Sequence, residues 1–216
     1  MRLLGHLGPL PFVLVRNMAA PAALTLMAVV FASAGCKGAP PPVVASAQDS
    51  PPAAAPAANL SGLHDFDLRA GNWTTHHRVL KERLADSHDW MEYDGTQTFW
   101  PLMGGFANVD EQILDKPGGA YRGVTLRAYD PKTGQWAIWW LDGRDPFGNL
   151  DPPVKGHFEN GVGLFYADDT LRGKPIRVRF TWSKITPTSA HWEQAFSGDG
   201  GRTWETNWVT DFQRVP

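Results

Sequence analysis

The sequence predicts an all-β fold, a single antiparallel barrel of about ten strands, and three observations carry that expectation. Apolar and polar residues alternate, most clearly where Ile176, Val178, Phe180 and Trp182 are interleaved with Arg177, Arg179, Thr181 and Ser183; this is a strand with one dry and one wet face. Strand-like stretches recur at intervals of roughly ten residues with turn residues between them, the rhythm of a sandwich or barrel. No long segment shows the 3.6-residue period of a helix.

Taken in order, residues 1–35 read as a secretory signal peptide. Arg2 and Arg16 are the only charges before an uncharged, largely apolar run over residues 18–35, which ends on the small residues Ala32-Ser33-Ala34-Gly35. Ser33-Ala34-Gly35-Cys36 resembles a bacterial lipobox, which would make Cys36, the only cysteine, the lipid-bearing N-terminus of an outer-membrane lipoprotein facing the periplasm. An ordinary A-x-A cut, releasing a soluble periplasmic or secreted protein, is the alternative. Residues 36–62, rich in Pro and Ala, read as a tether without a core of its own. The folded domain is expected over 63–216, with strands near 73–81, 91–100, 106–114, 121–129, 136–142, 154–159, 162–167, 175–184, 190–197 and 203–214.

The two ends of the domain decide which face points inward. Gly71-Asn72-Trp73 opens the first strand and Arg214 lies in the last. An Arg stacked on a Trp at that point closes the base of a lipocalin-like barrel by cation–π attraction. Strict alternation from Trp73 places Thr75, His77 and Val79 inside. Alternation from Arg214 does the same for Phe212, Thr210, Trp208, Thr206 and Trp204, leaving Glu193, Glu205 and Asn207 on a wet face with Arg177 and Arg179.

Residues 197–208, SGDGGRTWETNW, fit the Asp-box of sialidase-type propellers. A propeller needs several blades and repeated boxes, for which this chain has no room. Asp199 is therefore expected to be structural, accepting backbone N–H groups inside a hairpin turn. Asp130-Pro131-Lys132-Thr133-Gly134-Gln135-Trp136 is a looser version of the same turn.

Three stretches resemble an uncharacterised bacterial family of lipocalin-like domains: Asp65-Phe66-Asp67 with Gly71-x-Trp73, Arg127-x-Tyr129-Asp130-Pro131, and the closing run from Phe196 to Trp208 with Phe212-x-Arg214. Leu68 and Arg69 depart from it, standing where aromatic residues are commoner. The resemblance implies a calycin-type barrel and carries no established reaction.

The formal net charge of −2 and the lack of a basic stripe exclude nucleic acid as a partner. His76 and His77 adjoin on a strand and face opposite ways, and His64, His88, His157 and His191 are scattered, so neither a metal nor a cofactor is expected. Nitrobindin-like barrels hold haem through a His near the C-terminus, whereas the last His here is His191. No P-loop, dinucleotide fingerprint or nucleophile elbow is present, and no catalytic residue is identified. The inward faces mix aromatics with a few polar groups, the composition of a small-molecule pocket. The expected function is to bind a hydrophobic or aromatic small molecule against Trp140, Trp182, Trp192 and Trp208, oriented by His77 and Gln194; of the adjacent pair Trp139 and Trp140, either could be the inward one. The alternatives are an enzyme using His77 or a carboxylate in the cavity, and an envelope scaffold with a filled core.

Overall fold

The computed structural model describes residues 57–148 and 150–216; the expected signal, Cys36 and most of the expected tether lie outside the described residues. Ten strands form: β1 (Gly71–Leu80), β2 (Trp90–Leu102), β3 (Ala107–Leu114), β4 (Tyr121–Asp130), β5 (Gln135–Asp142), β6 (Val154–Glu159), β7 (Val162–Leu171), β8 (Lys174–Ser183), β9 (Ser189–Ser197) and β10 (Glu205–Arg214). Each pairs antiparallel with its sequence neighbours, and β10 pairs back onto β1, closing an up-and-down barrel without a free edge. Two short 3-10 turns, Asp67–Arg69 and Met103–Gly105, are the helical content of the described residues.

Alternation builds the interior. Trp73, Thr75, His77 and Val79 are buried along β1, while Asn72, Thr74, His76 and Arg78 are exposed. Of the two adjacent tryptophans, Trp140 is the inward one: it pairs with buried Thr125, whereas Trp139 pairs with exposed Leu126 on the outer surface. Gly123 makes this possible, since a Cβ there would come within 2.1 Å of the Trp140 ring.

Strict alternation fails in β10. The register runs Thr206↔Ala195 and then Trp208↔Gln194, so Asn207 is the extra residue of a β-bulge. The bulge buries Asn207 completely, correcting its expected place on the wet face. It also reverses parity beyond it: Thr206 pairs with Ala195, and Glu205 now pairs with inward-facing Phe196. Trp204, expected inside, lies outside, with its ring 6.0 Å from that of Tyr166 and the Arg179 guanidinium 4.5 Å above it.

The base is closed from outside the sheet. Arg214 pairs with Trp73, stacks over its ring at 4.3 Å and donates to the carbonyls of Ala70, Leu68 and Pro187. Residues 59–70 cross this end. Asn59 N–H donates to the Pro131 carbonyl, Trp136 Nε1 donates to the Gly62 carbonyl, and Phe66, 1% exposed, packs edge-on against Trp136, Phe158 and Trp182. Among the described residues, contact with the barrel thus begins at Asn59, inside the segment read as tether.

The wall is unevenly sewn. β5 and β6 share only three residue pairs, Trp136↔Gly156 to Ile138↔Val154, whereas β1 and β2 share ten. Residues 139–142 of β5 and 167–171 of β7 consequently have no β6 partner.

Candidate functional site

Two packed zones fill the ends of the barrel. The larger, at the base, centres on Phe66, Trp73, Trp136 and Phe165; the smaller, at the opposite end, on Val79, Tyr93 and Leu114. Between them lies a cavity of about 60 Å³. Its apolar wall is made of Ile138, Trp140, Phe180, Trp182, Trp192, Trp208 and Phe212, and its polar groups are Gln112, Thr125, Arg127, Gln194 and Thr210. Trp140, Phe180, Trp192 and Trp208 remain only half-buried although they point inward. They bound space that they do not fill.

Of the residues singled out from the sequence, Trp140, Trp182, Trp192, Gln194 and Trp208 meet around this cavity. Trp192, Trp208 and Phe180 make one aromatic wall: Trp192 meets Trp208 edge-on at 5.7 Å and Phe180 at 5.0 Å. Gln194, fully buried, donates to Asn207 Oδ1 at 2.8 Å, so the bulge residue fixes its amide while Oε1 stays unpartnered. His77 stands behind the wall, outside the lining. Its Nε2 is 2.9 Å from Thr75 Oγ1, its Nδ1 is 3.0 Å from Thr210 Oγ1 and accepts from Trp208 Nε1 at 3.3 Å, and its ring stacks on Tyr93. Burial lowers its pKa to about 4, keeping the imidazole neutral.

Parity could not show the charge of the interior. Arg127, 2% exposed, donates through Nη1 to Asp110 Oδ2 at 2.6 Å and to Asn108 Oδ1 at 3.1 Å. Gln112 holds the other Asp110 oxygen at 3.1 Å. Glu111 faces outward and pairs with Arg122. Arg69 is completely buried. Its guanidinium lies between Trp73 and Phe212, 4.1 Å from each ring, and donates to Gln97 Oε1. Burial, with Arg127 adding to it, lowers the Arg69 pKa to about 9. The cation persists at neutral pH.

Asp199 sits in the β9–β10 turn. One carboxylate oxygen accepts from the backbone N–H groups of Arg202 and Thr203, both at 3.0 Å, and from Ser197 Oγ; the other accepts from Thr203 Oγ1. These bonds, led by those to Thr203, hold its pKa well below the ordinary carboxylate range. Several other carboxylates and histidines pair on the outer surface, such as His76 with Asp94 and His191 with Asp211 and Glu193. Glu193 thus faces His191 along its own strand, and not Arg179. Among the described residues no cluster of three or more His, Cys, Asp or Glu could hold a metal.

Fold and site together define a lipocalin-like barrel with a small internal cavity walled by tryptophan. No protein-family model matches the sequence, and no curated protein matches it. Among solved structures the chain is similar to an S-type phycobiliprotein lyase, CPES, from Guillardia theta. The TM-score is 0.47 and the identity 9%, over 70% of this chain and 90% of the lyase.

Proposed function

We propose that the barrel binds a small apolar or aromatic molecule in its interior, against Trp140, Trp182, Trp192 and Trp208. The observation that carries this reading is the inward-facing aromatic wall that leaves space uncovered: apolar walls with a few convergent polar groups are what small-molecule sites share. The cavity is smaller than the roughly 150 Å³ hole that takes up benzene elsewhere, so binding must push one or more of the half-buried rings aside. Trp208 is the ring best placed to yield, because its one polar contact, to His77, is long at 3.3 Å. The thin seam between β5 and β6 lies beside Trp140 and offers a ligand a way in.

Intrinsic tryptophan fluorescence tests this directly. Titration with fatty acids, quinones, haem and small aromatics should give saturable quenching for at least one class, and Trp208→Ala should weaken it while costing the core roughly 3–5 kcal/mol. If none of these ligands quenches saturably, the reading fails and the filled scaffold takes its place.

Export and a lipid anchor at Cys36 are part of the same proposal, supported by the signal-like N-terminus and the lipobox. Cys36→Ser should move the protein from the membrane fraction to the soluble fraction of its host. Identical fractionation of both forms as soluble protein would remove the anchor.

A further inference from the structure

Toward its base the interior holds two fully buried guanidinium groups, Arg69 and Arg127, and one carboxylate, Asp110, while a third guanidinium, Arg83, lies apart from them over the ring of Phe196. Arg127 is paired with Asp110, and both guanidiniums approach the same ring: Arg69 lies 5.2 Å and Arg127 5.5 Å from the centre of Trp182. Arg69 has no anion of its own, since its polar partner is the neutral amide of Gln97. A buried charge is costly unless it is paired, and buried polar groups almost always have a partner. Around Trp182 that rule is broken chiefly on the donor side, the one orphaned acceptor of the cavity lining among the described residues being Gln194 Oε1. Arg69 Nε and Nη1, Arg127 Nε, Gln97 Nε2 and Trp182 Nε1 are all buried N–H groups without an acceptor.

Water could satisfy such donors, but it cannot balance the charge. A surplus of donors together with a surplus of positive charge is the complement of an oxyanion, whose lone pairs accept charge-assisted hydrogen bonds. Arg127 and Trp182 bring this surplus to the cavity itself, since both form part of its lining. Trp140 and Trp208 pack with the zone at the opposite end, so the cavity has a cationic, donor-rich inner end and an aromatic outer one.

We infer, resting on the binding reading above, that the ligand is amphipathic: its carboxylate, sulfonate or similar small oxyanion is seated at Arg127 and Trp182, and its apolar body lies against Trp192 and Trp208. Arg69 adds charge from beneath the Trp182 ring. The barrel then selects acids over neutral molecules of the same shape.

Two dyes sharing one aromatic skeleton test the selection, 8-anilinonaphthalene-1-sulfonate and its uncharged relative N-phenyl-1-naphthylamine, read by their own fluorescence. The sulfonate dye is the better hydrated, so a cavity without cations favours the neutral one. The inference expects the reverse in the unaltered protein. Hydrogen bonds to charged groups imply a preference for the anion of roughly 10- to 100-fold. Arg69→Met should lower the ratio of the two affinities by about 10-fold, and so should Arg127→Met made together with Asp110→Asn, which avoids orphaning the carboxylate. If the neutral dye binds as tightly as the anion in the unaltered protein, the inference is overturned while the binding reading stands. Failure of both dyes to bind, with no saturable quenching by the ligands above, overturns both. The comparison in the unaltered protein decides the matter even if a variant does not fold.

Discussion

His77 illustrates how a residue suited to catalysis can be spent on structure. Its two ring nitrogens are engaged by Thr75, Thr210 and Trp208, and burial lowers its pKa from 6.5 to about 4. The unfolded chain therefore takes up this proton first as the pH falls. Stability from His77 is complete above about pH 6.5 and is lost as the pH drops toward 4, by up to about 3 kcal/mol. Asp65 and Asp169, raised to about 6 by burial, act oppositely, because the folded protein holds their protons more tightly between pH 6 and 3.8. The difference between unaltered protein and His77→Gln isolates the histidine: chemical denaturation from pH 8 to pH 4 should show a flatter acid limb for the variant. Parallel curves would mean that His77 takes up its proton as readily in the folded protein as in the unfolded chain. At this scale the sequence was only partly legible. Alternation from Trp73 placed His77 inside, but nothing in the pattern distinguished a hydrogen-bonded core histidine from a cavity-lining one. Arg69 was less legible still. It precedes the first strand, where no two-residue period applies, and its burial depends on Trp73 and Phe212 from opposite ends of the chain.

Among elements, all ten strands were visible in the alternation, with ends displaced by only a few residues, because half-buried strands must write their two faces into the sequence. The bulge was not visible. Asn207 lies between Thr206 and Trp208 in an unbroken alternating run, and only its pairing with β9 shows that one residue is extra. Parity counted from Arg214 consequently held as far as Trp208 and inverted for Thr206 and Trp204. Pairing between β5 and β6 was equally hidden, since the length of a strand does not reveal where its neighbour stops. Hydrogen exchange should find this seam. Amides of residues 139–142 and 167–171 that point toward the missing part of β6 have no ladder partner there, so peptides covering them should exchange well before those of β1 and β2. A bound ligand should slow them, if the seam is its entrance. Uniform protection around the barrel would exclude the seam as a weak point.

For the molecule as a whole, the question is where the folded unit begins. The barrel's floor is built from chain that precedes its first strand: Leu63 and Phe66 are buried under it, Arg69 is stacked within it, and Trp73 Nε1 donates to the Arg69 carbonyl at 2.8 Å. Phe66 meets Trp136, Phe158, Phe165 and Trp182, which belong to four different strands, and Arg127 lies over its ring at 5.1 Å. Truncating such a residue loses both transfer free energy and packing, roughly 3–5 kcal/mol for Phe→Ala, out of about 5–15 kcal/mol that hold a typical domain folded. Phe66→Ala should therefore lower the urea midpoint strongly without changing the slope of the transition. A chain starting at Gly71 loses Leu63, Phe66 and Arg69 together, and with them the underside of Trp182, so it should fail to unfold cooperatively. A chain starting at Asn59 keeps the hydrogen bond to Pro131 and the Gly62 contact with Trp136 and should match the longer protein. If the chain starting at Gly71 unfolds with the same midpoint as the one starting at Asn59, the floor is an ornament of a self-sufficient barrel, and the cationic end of the cavity is not held in place by it.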